Sequence, residues 1–205
     1  MRTIGIDFDN TIVNYGELFL QLASEAKLFE PPFAGTRSEL RASLRARGGG
    51  EGQWQALQAL AYGPRIKEAC LYPGTLEFID RALSEGYVVR VVSHKTEYAA
   101  AAPNGPSLRE SALEFMADNG LLGPGRLSVA AVSFANSRRD KLREIERVSC
   151  DVFIDDLEEV LLDESFPRDT RPILFSPQAP AGQSEGNRAI EVAATWAQIA
   201  TFVLG

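Results

Sequence analysis

Apolar residues gather at the start of the chain and stop abruptly at acids: Thr3-Ile4-Gly5-Ile6 runs into Asp7-Phe8-Asp9. A short run without polar alternates fits a strand buried on both faces that meets solvent at its carboxyl end. Four further runs share the pattern: Tyr87 to Val92, Val129 to Phe134, Asp151 to Ile154 and Arg171 to Phe175. Between them, apolar positions recur at helical spacing over Thr75 to Ser84, Ser107 to Asn119, Ser137 to Val148 and Leu157 to Asp163. A terminal helix is expected over Ala193 to Leu204, and the Gly- and Pro-containing stretch from Gln178 to Asn187 reads as a loop. Strands alternating with helices imply crossover connections, hence an α/β fold with a parallel sheet flanked by helices.

The rhythm breaks between Ile12 and Tyr72. No strand pattern stands out there, and helical patterns over Tyr15 to Phe29, Arg37 to Arg47 and Gln53 to Tyr62 are divided by Pro31-Pro32 and Gly48-Gly49-Gly50. We read residues 1–12 and 73–205 as the core domain and 13–72 as a small α-helical insert after the first strand. Phe19, Phe29, Phe33 and Trp54 are expected to form the insert's own core.

Composition adds exclusions. With 205 residues, a net charge of −7 and a pI near 4.9, the chain has no cation excess for nucleic acid or acidic membranes. A small phosphorylated metabolite needs only a local cationic pocket. Cys70 and Cys150 lie in apolar contexts and read as reduced core residues. Met1-Arg2-Thr3 leads directly into the first strand and no apolar run is long enough to span a bilayer, so the expectation is a cytoplasmic protein.

In an open parallel sheet, ligands bind at the carboxyl ends of the strands. Those ends deliver Asp7-Phe8-Asp9-Asn10-Thr11, Ser93-His94-Lys95 and Asp155-Asp156. Four carboxylates in one crevice, with no local cations expected beside them, repel one another and call for a divalent ion. All-oxygen donors suit Mg²⁺ better than zinc, since the cysteines and the lone His94 form no soft-ligand cluster.

Here the sequence resembles a known family. An apolar run followed by Asp-x-Asp-x-Thr, at Asp7 to Thr11, is similar to the first motif of the haloacid dehalogenase (HAD) superfamily, phosphatase branch. Val91-Val92-Ser93 resembles its second motif, Lys141 its third, and Val152-Phe153-Ile154-Asp155-Asp156 its fourth in the paired-acid form. The resemblance covers about residues 1–12 and 73–176. It implies a Rossmann-like core with a helical cap inserted between the first and second motifs. It also implies a Mg²⁺-dependent phosphomonoester hydrolase with Asp7 as nucleophile, Asp9 as general acid and base, and Lys141 as the cation shielding Asp7. Asn10, Thr11 and Ser93 fall in the phosphate-binding set, with Thr11 orienting Asp9. Asp7, the Asp9 carbonyl, Asp155 and Asp156 fall in the metal set, and Asp156 is the expected direct ligand of the pair. His94 and Lys95 are candidate substrate contacts, though a structural role fits them equally.

Two other readings compete. A phosphotransferase or mutase would use the same nucleophile, and a non-catalytic scaffold would be marked by a lost acid or lysine; neither is lost here. Carbon–halogen cleavage is disfavoured by Asp9, because a halide leaves without a proton. Specificity is expected from the insert, whose Arg41, Arg45, Arg47, Arg65 and Lys67 could meet an anionic leaving group, and from Lys95 to Pro106.

Overall fold

The computed structural model describes residues 2–179, 182–184 and 189–205. Its strands are β1 (Thr3–Ile6), β2 (Val13–Asn14), β3 (Cys70–Leu71), β4 (Val88–His94), β5 (Val132–Ala135), β6 (Val152–Asp155), β7 (Arg171–Phe175), β8 (Gly182–Ser184) and β9 (Ile190–Ala193). Its helices are α1 (Gly16–Glu25), α2 (Arg37–Arg45), α3 (Gly50–Ala61), α4 (Thr75–Ser84), α5 (Leu108–Asp118), α6 (Arg138–Arg147), α7 (Glu158–Leu161) and α8 (Trp196–Val203).

All five expected strands form. The third starts late because Val129–Ala131 is a 3-10 turn. The sheet order is β5-β4-β1-β6-β7-β9-β8. Six of these strands are parallel and β8 pairs antiparallel with β9. The chain moves outward from β1 to β4 and β5, then returns to β6 on the other side of β1. Ligands of open sheets bind where strand order reverses in this way. The loop expected over Gln178 to Asn187 lies partly outside the described residues, and within it Gly182–Ser184 forms β8.

The described chain separates into two compact units. The first, Met1–Val13, Leu71–Lys95 and Ala117–Gly205, holds the seven-stranded sheet. One of its cores joins Leu142 and Ile145 of α6 and Val160 and Leu161 of α7 to Val92, Phe153 and Ile190 of the strands. Another joins Phe78 of α4 to Trp196 of α8 across 5.0 Å, with Phe175 of β7 5.7 Å from Trp196. Cys150 is free and buried as expected, whereas Cys70 is free but exposed, since the two-residue β3 gives it no covering layer.

The second unit is Asn14–Cys70 together with Thr96–Met116. The added segment packs there closely: a Cβ built on Gly63 would sit 3.3 Å from Leu108 and 3.6 Å from Pro106. Phe19 and Trp54 are buried and stacked at 4.7 Å, so they are core as expected. Helix α2 opens with a full capping box between Thr36 and Glu39. Helix α3 begins three residues earlier than the pattern indicated, because Gly49 takes a left-handed N-cap and Gly50 packs against the Leu44 carbonyl.

Candidate active site

Strands β1, β4 and β6 end on the residues singled out from the sequence, all within the first unit. The Asp7 N–H donates to the Ile154 carbonyl at 2.9 Å, carrying the β1–β6 pairing one residue past β1. The chain then turns sharply: the N–H groups of Ile12 and Val13 both donate to the Phe8 carbonyl, at 3.0 and 3.1 Å. Asn10 makes the turn possible with a φ of 62°, a conformation Asn tolerates better than most residues. Alternation alone would put Asp7 and Asp9 on one face. The turn instead sends them to different partners.

Lys141 sits in the first turn and a half of α6, whose N-cap Ser137 accepts the Asp140 N–H. Its ammonium is 2.6 Å from Asp7 Oδ1 and 2.6 Å from Asp155 Oδ2. All three side chains are buried. Neighbouring Arg138 is paired with Glu159, so it is Lys141 of this helix that reaches Asp7 and Asp155. Burial pushes the Asp7 carboxyl up to about 7; Lys141 pulls it down, while Asp155 and Asp9 add to the rise. Burial also works against the Lys141 charge, but the two carboxylates outweigh it and hold the ammonium above the ordinary lysine range.

Oxygens of Asp7, Asp155 and Asp156 lie within 4.8 Å of one another. Three hard carboxylate donors this close fit a magnesium ion by chemistry. Asp155 spends one oxygen on Lys141 and the other on the Leu157 N–H at 3.0 Å. Glu158 and Glu159 open α7 and are not in this cluster.

The Asp9 carboxylate lies outside the cluster. It meets Lys95 Nζ at 3.0 Å through Oδ1 and 2.8 Å through Oδ2. The acids are thus compensated by two buried lysines, and the expectation of acids without local cations is corrected. No sequence signal links Lys95 to Asp9, 86 positions away. For Lys95 the sequence allows a substrate contact or a structural role; the structure places its ammonium on Asp9. His94 is exposed and bonds the Asn136 carbonyl at 3.2 Å, and Ser93 is buried at the end of β4. Thr11 is fully buried, but its hydroxyl has no partner among the described residues, so the bond expected from it to Asp9 is not made.

The second unit's cations are largely engaged within that unit. Arg45 pairs with Glu51, and Arg65 with Glu25 and Glu68. Arg47 donates to the Leu28 carbonyl over the Phe29 ring, and Arg41 lies 5.8 Å over Trp54.

No family model matches the sequence, and no curated protein matches it. Solved structures do. A HAD hydrolase of family IA, variant 3, from Entamoeba histolytica superposes with a TM-score of 0.63 at 10% identity, over 97% of this chain and 95% of that one. The HAD-hydrolase YfnB from Bacillus subtilis, bound to magnesium, gives 0.58 at 13% identity over 98% of each. A phosphoserine phosphohydrolase-like protein from Francisella tularensis gives 0.53 at 17% identity over 99% of this chain and 100% of that one. A dehalogenase is similar as well. These likenesses establish the HAD-type Rossmann-like α/β fold. No helix among the described residues is long and apolar enough to cross a membrane.

Proposed function

We propose that this chain is a hydrolase of the HAD superfamily that cleaves phosphomonoesters of small metabolites through a phosphorylated Asp7. One observation carries the reading: Asp7 is buried at the end of β1 against Lys141 and clustered with Asp155 and Asp156, while a second acid, Asp9, is held apart on its own lysine.

Asp7, Asp156 and the Asp9 main-chain carbonyl would hold Mg²⁺, with Asp155 supporting from behind because both its oxygens are engaged. A bound Mg²⁺ supplies the positive charge that lets an anionic carboxylate approach an anionic phosphoryl group. In the first half-reaction an Asp7 oxygen attacks phosphorus, the bond to the leaving oxygen breaks, and that oxygen takes a proton from Asp9. In the second, water attacks the phosphorus, Asp9 recovers a proton from it, and the Asp7–phosphorus bond breaks. Lys141 holds Asp7 in place throughout and offsets its charge. Asp9 favours this chemistry over halide displacement, which has no use for a proton donor.

Purified protein should release phosphate from an aryl phosphate with Mg²⁺ present and stop on chelation. Asp7→Asn, which keeps the shape and removes the nucleophile, should be inactive. Near-wild-type turnover by a folded Asp7→Asn variant would sink the reading. Asp9→Asn should lose about 10²–10⁴-fold with basic leaving groups.

A further inference from the structure

Aspartate has a free rotor, and a general acid is useful only when its oxygen points at the leaving group. We infer that Lys95 is the positioning residue for Asp9, an inference that rests on the phosphatase reading above. One ammonium reaches both Asp9 oxygens, at 3.0 and 2.8 Å. The lysine side chain is 2% exposed and the aspartate 17%, so the cation is the fixed partner and the acid is the one that faces outward.

Lys95 is itself held at its main chain and its ammonium, and its neighbour His94 is held as well. Its main-chain N–H donates to the Ala135 carbonyl at 2.9 Å, prolonging the β4–β5 pairing past His94. The His94 ring is tied to the Asn136 carbonyl on the neighbouring strand's extension at 3.2 Å. The Lys95 ammonium lies 5.4 Å over the ring of Phe8, the residue between the two catalytic acids. A charge buried in this way would be costly without its carboxylate, which ties the lysine to Asp9 as firmly as Asp9 to the lysine.

The arrangement does two things for the reaction. It keeps the Asp9 carboxylate away from the three acids whose oxygens lie within 4.8 Å of one another, so Asp9 is not drawn in as a fourth member. Without substrate the ammonium spans both Asp9 oxygens; when a leaving group arrives, one oxygen turns to it while the other stays on Lys95. A carboxyl group accepts a hydrogen bond on its second oxygen whether or not the first carries a proton. Lys95 therefore keeps its own protons through both half-reactions and contributes aim, not acidity.

The test uses a series of aryl phosphates from 4-nitrophenyl to phenyl, whose leaving groups differ in their need for a proton. In Lys95→Met the loss in kcat/KM should be about tenfold or more greater for phenyl than for 4-nitrophenyl phosphate, matching the steepened dependence of Asp9→Asn. Lys95→Arg, which keeps a buried cation, should restore part of the shallow wild-type dependence. The double variant Asp9→Asn/Lys95→Met should be no slower than Asp9→Asn alone. If Lys95→Met does not fold, the double variant leaves no unpaired charge, and its comparison with Asp9→Asn carries the test. A uniform loss across the series in Lys95→Met, or a double variant tenfold slower than Asp9→Asn, overturns the inference. Turnover by Asp7→Asn instead overturns the phosphatase reading and this inference with it, so the two failures are told apart by different variants.

Discussion

Lys141 makes two short bonds to two buried carboxylates, and taking it away strands both. Removing one partner of a buried ion pair costs about 3–5 kcal/mol. In chelated protein, Lys141→Met should therefore lower the urea-unfolding free energy by about that much, and saturating Mg²⁺ should recover part of it. A loss under about 1 kcal/mol without metal would show that Lys141 is not the compensating charge. Asp7 predicts a pH dependence. Its carboxyl, raised from 3.8 to about 7, keeps its proton in the folded protein where the unfolded chain has lost it. The folded state then binds more protons, so the stability of metal-free protein is highest below pH 4 as far as Asp7 is concerned and falls as pH rises toward 7. Melting temperature with chelator should drop across that window, and the gain on adding Mg²⁺ should grow; a flat profile in both would contradict the assignment. Asp7, Asp155 and Asp156 were legible in the sequence because acids after apolar runs announce a strand end. The partnership of Lys95 with Asp9 was not, because it depends on how β4 lies beside β1 and on the turn at Asn10.

Strand β1 carries a glycine where a buried strand would ordinarily carry a branched residue. A Cβ on Gly5 would fall 2.5 Å from the Phe153 ring and 2.6 Å from the Cys150 sulfur. Gly5→Ala must push β1 away from that packing, two residues before Asp7. Overpacking of this kind costs about 1–3 kcal/mol. Thermal unfolding should show that loss, with a fall in kcat because Asp7 moves with its strand; unchanged stability and rate would mean the contact relaxes freely. The long, strongly patterned elements were the readable ones. Helix α4 forms over the residues its apolar spacing indicated, Thr75–Ser84. The elements the sequence did not reveal are short: β2 and β3 have two residues each, and β9 offers only Ile190 and Val192 as an alternating signal. Over so few positions, period two and chance look alike.

At the scale of the whole molecule, both excursions into the second unit begin beside candidate site residues, after Val13 and after Lys95. The first excursion showed in the sequence as a loss of strand rhythm. The second did not, because Thr96–Met116 contains a helix of ordinary crossover length, and only its packing against Gly63 reveals where it belongs. The sheet order has a consequence for biosynthesis. β1 lies between β4 and β6, pairing Ile4 with Val89 on one side and Val152 on the other. The strand that leads into Asp7 thus precedes both neighbours in the chain and waits for the second until β6 ends at Asp155. At a ribosomal rate of about 5–20 residues per second, that wait is on the order of 10 s, and the half-made sheet spends it with an open edge. Nascent chains stalled before β6 should be cut by protease within β1 and β4, and chains stalled after β7 should resist. Protection appearing before β6 has emerged would mean that some other segment shelters the edge in the meantime.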